Sequence, residues 1–509
     1  GDMARSALIA ASVLLLQSAD AFLSTPRALG SAGKPPMLGK ASSVSRRLQA
    51  APLGSLSCAS DTSSLVAWLE ENGCKANCEP SGDDAGRGLV ATSAIKKGDE
   101  VCTIPIKVMM TEETAVQALG GKAKEVDAET AIALQLLKER SMGDASFYAP
   151  WIGSLPKSDQ MDVPIMWSDK EKEWLEGTKV GEDVEELAEN LEDELSQLKA
   201  AGWDKIVGDM SQEDYTWATS VVSSRAISHP KLPGGVALVP LADFARQSGG
   251  GGVPEVSFEG IMRTPAIKVR SGDGIAKGED VCIAYSGSVA GGSDNSALLF
   301  KRGLCDLTVV GGSYDMTFGV SSMDPFRDDK EDILEQQGFP TEMAFTLSSD
   351  EMDWEDVPQS YWDMMAYLRL ICVTGQDAFL LESVFRNDVW DFMNYPVSKD
   401  NEKLMLETLI GTVEGALEGF DTTEGEDARA QTSEDLPLRQ RMAAACRLGE
   451  RKALGVALSM YLTDLDSLDS KEYYQERRLR ELNLDRPLDE SEIIDPDMPI
   501  GRNAVDDMY

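Results

Sequence analysis

Histidine occurs once in the 509 residues, at His229 beside Pro230, so a hydrolase built on a Ser/His/Asp or Cys/His set would hang on that one side chain. Eight cysteines are spread without the density of a disulfide scaffold. Cys74-x3-Cys78 has no second ligand pair and no nearby histidine to close a zinc site. The cysteines therefore read as reduced, mostly buried thiols, and no metal is implied. Three other features could carry chemistry. Gly86-Arg87-Gly88, with no Cβ at two positions, would let backbone groups approach a ligand closely, although alone it is a tight turn. Arg225 offers a planar fork for a carboxylate, in a ligand or in a structural ion pair. Tyr285 closes an apolar strand, where a phenol either packs or lends its hydroxyl.

The elements that must position these residues follow from periodicity and punctuation. Residues 63–72 predict a short amphipathic helix with Leu65, Trp68 and Leu69 on one side, stopped by Gly73. Residues 88–105 alternate β-branched side chains around Lys97-Gly98-Asp99, which predicts strand, turn, strand. Helical spacing returns at 127–140 and 184–200. Ser168 with Glu171 forms a capping box before Trp174-Leu175, and Ser211 caps a helix running to Arg225. Strands are expected at 236–241 and 281–285, split by the four glycines 249–252. A helical block is thus inserted into a β domain. Beyond Asp306 long helical patterns dominate, at 361–373, 402–417 and 436–465, before a charged, proline-containing end from Tyr473.

With 42% hydrophobic residues the chain has material for two or three packed domains. Nothing approaches the roughly 18 consecutive apolar residues of a membrane span. The short apolar run 7–16 follows Arg5 and precedes Ala19-Asp20-Ala21, the small-x-small pattern of a signal-peptide cleavage site, with Met3 as initiator. Between Ala21 and Ser60 there is no acidic residue, while Arg27, Lys34, Lys40, Arg46 and Arg47 sit among Ser, Ala, Gly and Pro, as in a transit peptide. The tandem resembles the bipartite presequence of algae with complex plastids, so the expected destination is the plastid stroma. A secreted protein with a disordered linker is the alternative. Formal net charge is −39, although the first fifty residues are net basic. Nucleic acid is excluded as a partner, since phosphate binding needs clustered Lys and Arg. An acidic surface instead attracts Lys-rich protein segments.

An ordered series of motifs then resembles one family. Gly86-Arg87-Gly88-Leu89-Val90-Ala91 with Lys97-Gly98-Asp99 and Ile104-Pro105 is similar to the opening strands of SET methyltransferases of the Rubisco large-subunit type. Phe147-Tyr148-Ala149-Pro150-Trp151, Ser154-Leu155-Pro156 and Trp167-Ser168 resemble its inserted helical region, and 217–225 its Arg-bearing helix. Leu238-Val239-Pro240-Leu241-Ala242-Asp243 resembles the strand before its Asn-His motif. Arg447-Leu448-Gly449-Glu450-Arg451-Lys452 is like the signature helix of its C-terminal domain. The resemblance implies an α+β chain: a SET β-fold interrupted by a helical insertion, then an all-α C-terminal substrate-binding domain. Expected boundaries are 1–60 for the presequence, 61–310 for the SET domain with its insertion at about 125–235, 311–482 for the helical domain, and 483–509 for an acidic tail.

What the resemblance implies chemically is methyl transfer from S-adenosyl-L-methionine to a protein lysine. Gly86, Arg87, Gly88 and Arg225 would bind the cofactor, Arg225 through its carboxylate, and Tyr285 would be the catalytic tyrosine. The family's Asn-His is Arg246-Gln247 here, and its Tyr-Gly-Phe is Arg302-Gly303-Leu304, so an aromatic that would stack on adenine becomes Leu304. Two functions stay open: a plastid protein-lysine N-methyltransferase, and a catalytically inactive SET-like scaffold in an organelle complex.

Overall fold

The computed structural model describes residues 62–83, 86–247, 255–259, 266–270, 274–283, 294–308, 310–350, 359–382 and 388–481. The expected presequence, the glycines 249–252, Tyr285 and the tail 483–509 lie outside the described residues.

Helix α1 (Ser63–Glu71) buries Leu65, Trp68 and Leu69, the three residues that spacing placed on one side. The main sheet has four antiparallel strands in the order β1 (Lys75–Ala76), β4 (Glu100–Pro105), β10 (Ala266–Arg270) and β9 (Glu255–Glu259). A three-stranded sheet holds β5 (Met110–Thr111), β7 (Val236–Leu238) and β6 (Ile227–Ser228). Two pairs complete this part: β2 (Cys78–Asp83) antiparallel to β3 (Gly86–Ala91), and β8 (Arg246–Gln247) parallel to β11 (Cys282–Ile283). The strand, turn, strand expected over 88–105 is present, with Gly98 at φ 81 and the Asp99 amide donating to the Lys96 carbonyl at 2.9 Å. Its two strands do not pair with each other; β3 takes β2, and β4 takes β1 and β10. Alternation announces a strand, but its partner is set by what the rest of the chain brings alongside.

Between β5 and β6 lies the helical insertion. Asp127 caps α2 (Ala128–Ser141), its carboxylate accepting the Glu129 and Thr130 amides at 2.9 and 3.0 Å. Helix α3 (Lys179–Ala200) starts about a turn before the apolar pattern, because Thr178 caps it by accepting the Gly181 amide at 2.9 Å. Ser211 caps α4 (Gln212–Arg225) as its sequence indicates, accepting the Asp214 amide at 3.0 Å. These helices and the strands share one apolar core, running from Leu65 through Ile132 and Trp217 to Val281.

Beyond α5 (Asn295–Arg302) a second core is built around α6 (Gln359–Ile371), α7 (Lys399–Glu418) and the 29-residue α9 (Leu438–Asp466), with α8 (Glu424–Thr432) alongside. This part is helical as expected and also carries an antiparallel pair, β12 (Ser313–Gly319) with β13 (Glu342–Ser348). Its inward residues alternate, Met316 with Phe318 and Phe345 with Leu347, a period of two that short length made easy to pass over.

Helix α9 joins the two cores. Arg439 bonds the Asp162 carboxylate at 3.0 Å, Glu171 at 3.1 Å and the carbonyls of Asp159 and Met161. Arg447 binds Asp427 at 2.6 Å and reaches the Trp174 carbonyl. Arg451 lies over the Phe420 ring at 4.3 Å. Glu450, fully buried, accepts the Lys179 and Val180 amides at 3.0 and 3.4 Å, so a carboxyl group from α9 satisfies amides at the start of α3. Three of the ionisable side chains in the Arg447–Lys452 motif therefore work inside the protein. Among the described residues no single helix is long and apolar enough to cross a membrane.

Candidate functional site

Arg225 is the last residue of α4, whose buried face (Tyr215, Trp217, Ala218, Val221, Val222) locks the helix into the first core. Its Nη1 donates to the backbone carbonyl of Asp243 at 2.8 Å. Its Nε is buried and has no hydrogen-bond partner among the described residues. Among the described residues no carboxylate stands at ion-pair distance from this guanidinium, so the structural ion pair left open by the sequence is not what engages it. One electrostatic neighbour is Asp162, where burial pushes the carboxyl up against the opposing pull of Arg439 and Arg225. A half-engaged, partly buried cation of this kind suits an incoming carboxylate.

Asp243 is the anchor that sequence reading passed over. It is 1% exposed, and its carboxylate accepts the indole N–H of Trp151 at 3.3 Å while its main chain holds Arg225. The available signal was a single acid inside the apolar run Val239-Pro240-Leu241-Ala242-Asp243-Phe244.

Gly86-Arg87-Gly88, which alone would be a tight turn, instead opens strand β3 opposite β2, and this strand, the Arg246-Gln247 strand and the strand before Tyr285 are brought together. β3 lies against β8 and the turn 242–244. The Leu89 carbonyl accepts the Val281 amide at 2.8 Å, and the Ala91 amide donates to the Glu279 carbonyl at 2.9 Å. β8 then runs parallel to β11 with Arg246 opposite Cys282 and Gln247 opposite Ile283. Gly88 is buried in this junction. Of Gly86, Arg87, Arg246 and Gln247 the strand placement is described, not the side chains. Tyr285 follows β11 by two residues, outside the described residues.

Arg302 and Leu304 flank the C-terminus of α5. Gly303 ends that helix at φ 66, and a Cβ there would meet the Asp162 carbonyl carbon at 2.4 Å, so only glycine permits the approach. Arg302 donates to the Ser223 carbonyl at 2.9 Å, tying α5 to α4 two residues before Arg225. Leu304 is half-buried beside it. Arg302, Gly303 and Arg225 are thus neighbours through α4 and the 162–163 segment.

Short sheets knitted around a parallel β8–β11 pair, a helical insertion and a helical C-terminal domain define a SET-type protein of two domains. The Rubisco LSMT substrate-binding family model matches residues 321–454. The chain is 30% identical over 431 residues to the chloroplastic [fructose-bisphosphate aldolase]-lysine N-methyltransferase of Arabidopsis thaliana, covering 82% of this chain and 86% of that protein. It is 28% identical, over 82% of this chain and 85% of the relative, to the chloroplastic Rubisco large-subunit N-methyltransferase of Pisum sativum. Among solved structures, that of the LSMT SET domain bound to lysine and AdoHcy aligns with TM-score 0.75 and 27% identity over 83% of this chain and 96% of the other. Rubisco LSMT bound to AdoMet aligns with TM-score 0.74 and 28% identity, over 84% and 98%. The chain belongs to the SET-domain protein methyltransferases of the Rubisco large-subunit methyltransferase type.

Proposed function

We propose that the chain is an S-adenosylmethionine-dependent protein-lysine N-methyltransferase acting on a plastid protein. The observation that carries this reading is the guanidinium of Arg225, positioned by the Asp243 carbonyl and left with a buried, unpartnered Nε. When bound, S-adenosylmethionine supplies an electrophilic methyl group on a sulfonium. The chain's own contribution is positioning and exclusion of water. Arg225 would hold the cofactor's carboxylate, and the Gly86–Gly88 backbone would approach it without Cβ interference. Tyr285 would orient the acceptor amine, which has to be neutral to react; a desolvated channel lowers its pKa without a dedicated base. The pairing of β8 with β11 is made by backbone, so the placement of the strand at 246–247 does not depend on the side chains of Arg246 and Gln247.

The chloroplastic relatives and the acid-free, basic stretch 21–60 behind a signal-like run support the plastid of an alga with a complex plastid as the location. A lysine-bearing, basic segment on the substrate suits a net charge of −39. The protein from residue 61 onward, incubated with labelled S-adenosylmethionine and plastid extract, is expected to label a protein band, and the Arg225→Ala variant to label it much more weakly at the same cofactor concentration. If no label is transferred where the pea relative transfers it, and calorimetry detects no cofactor binding, the chain is an interaction scaffold instead.

A further inference from the structure

Leu241 is the one non-glycine position with a positive φ among the described residues. Its φ of 73° and ψ of −51° lie close to the compact three-residue turn that L side chains avoid, because Cβ crowds the neighbouring carbonyl. Glycine would adopt this conformation without cost, yet the position holds a leucine that is 2% exposed and packed in the core with Val239, Ala242 and Phe244. The side chain is anchored on one side of the kink and the backbone on the other. Past it, the Asp243 amide donates to the Val239 carbonyl at 3.1 Å, the Phe244 amide to the Leu241 carbonyl at 3.1 Å, and the Ala245 amide to the Ala242 carbonyl at 3.0 Å.

The consequence appears within five residues. β7 ends at Leu238, and β8 begins at Arg246 as the parallel neighbour of β11. In between, the same turn delivers Asp243 with its carbonyl on Arg225 and its carboxylate on Trp151. Neither partner can follow if Asp243 moves, since Trp151 is fully buried and Arg225 ends a packed helix. Strain of this sort persists only where surroundings over-determine it, and here they set the placement of one guanidinium and one strand.

We propose that Leu241 is a positioning residue: its buried, strained turn fixes the Asp243 carbonyl and thereby holds Arg225 ready for the cofactor carboxylate. The inference rests on the cofactor reading above. Comparing Leu241→Gly with Leu241→Ala tests the strain, because the two differ by a single methyl group and glycine alone releases φ. Calorimetric titration with S-adenosylhomocysteine is read beside thermal melts. The glycine variant is expected to melt at or above the alanine variant and to bind on the order of tenfold more weakly, the scale of lost preorganisation. In an Arg225→Ala background that difference should vanish, since the turn acts through Arg225. Equal binding by the two variants, a lower melting point for glycine, or persistence of the difference without Arg225 each overturns the proposal. Should neither variant fold, Pro240→Ala loosens the turn without emptying Leu241's site; weaker binding supports the proposal and unchanged binding overturns it. A wild-type protein that binds no S-adenosylhomocysteine overturns the cofactor reading itself, and this inference with it; wild-type binding with equal variants overturns this inference alone.

Discussion

Arg225 shows how much a single contact decides. From its type alone a guanidinium could serve a structural ion pair or a ligand, with nothing to choose between them. The contact that separates the two is to a main-chain carbonyl, at Asp243, which uses one donor and, among the described residues, leaves the guanidinium without a carboxylate at ion-pair distance. Replacing Arg225 by alanine should weaken S-adenosylmethionine binding by about 2 kcal/mol, roughly thirtyfold in Kd, as for a charge-assisted bond to a carboxylate. The melting temperature should move little, because the side chain is half-buried and bonded once. Calorimetry and a thermal melt on the same sample test both statements. Lysine at 225 should recover only part of the loss, since a single ammonium lacks the fork that grips a carbonyl and a carboxylate together.

At the scale of elements, α3 and α9 meet through Glu450. Burial pushes its carboxyl up to about 8, against the opposing effect of the Lys179 and Val180 amides and of the Cys446 and Ser296 side chains. Cys446 and Tyr314 nearby are themselves held neutral, both pushed up by burial. A carboxyl whose folded pKa exceeds its unfolded value of 4.5 favours folding most below that value. Its contribution is lost as pH rises through the window from 4.5 to about 8. Glu450→Gln keeps the acceptor for the α3 amides and removes the titration. The variant should match wild type near pH 5 and exceed it near pH 8 by on the order of a few kcal/mol, read from urea midpoints across the range. A parallel loss of stability in both proteins would show that Glu450 remains protonated throughout.

Across the whole molecule, two large apolar cores are held together by a third, smaller cluster in which Met442 and Cys446 of α9 meet Leu175, Val180 and Leu299, by charged side chains of α9 and by close backbone crossings. A Cβ on Gly449 would stand 2.6 Å from the Gly311 carbonyl oxygen, and one on Gly177 would stand 2.1 Å from that of Gly419. Gly455, two turns along α9 from Gly449, has nothing within 4 Å of such a Cβ. Alanine in a helix ordinarily stabilises by about 1 kcal/mol over glycine, which is the expectation for Gly455→Ala. Gly449→Ala should have the opposite sign, destabilising by about 1–3 kcal/mol as the crossing is forced apart. Thermal melts of the two variants check the contrast. The loss at Gly449 should also weaken methyl transfer, because the insertion that α9 grips carries Arg225.

Much was readable along the chain because it depends on neighbours in sequence. Caps at Ser168 and Ser211, the amphipathic α1 and the long α9 follow from side chains within a turn or two of one another. The ordered motifs likewise carried the family and the pair Arg225 and Gly86–Gly88 as site candidates. Tertiary structure alone decided which strands pair, so that 88–105 is not a hairpin and β8 lies parallel to β11. It also decided that Arg447, Glu450 and Arg451 face inward, that Arg302 is spent on the Ser223 carbonyl, and that Leu241 adopts a glycine's conformation. The physical reason is shared by the long-range contacts among these. A hydrogen bond or a clash between residues 18 to 271 positions apart leaves no periodic trace, and its free energy exists only once the cores have closed.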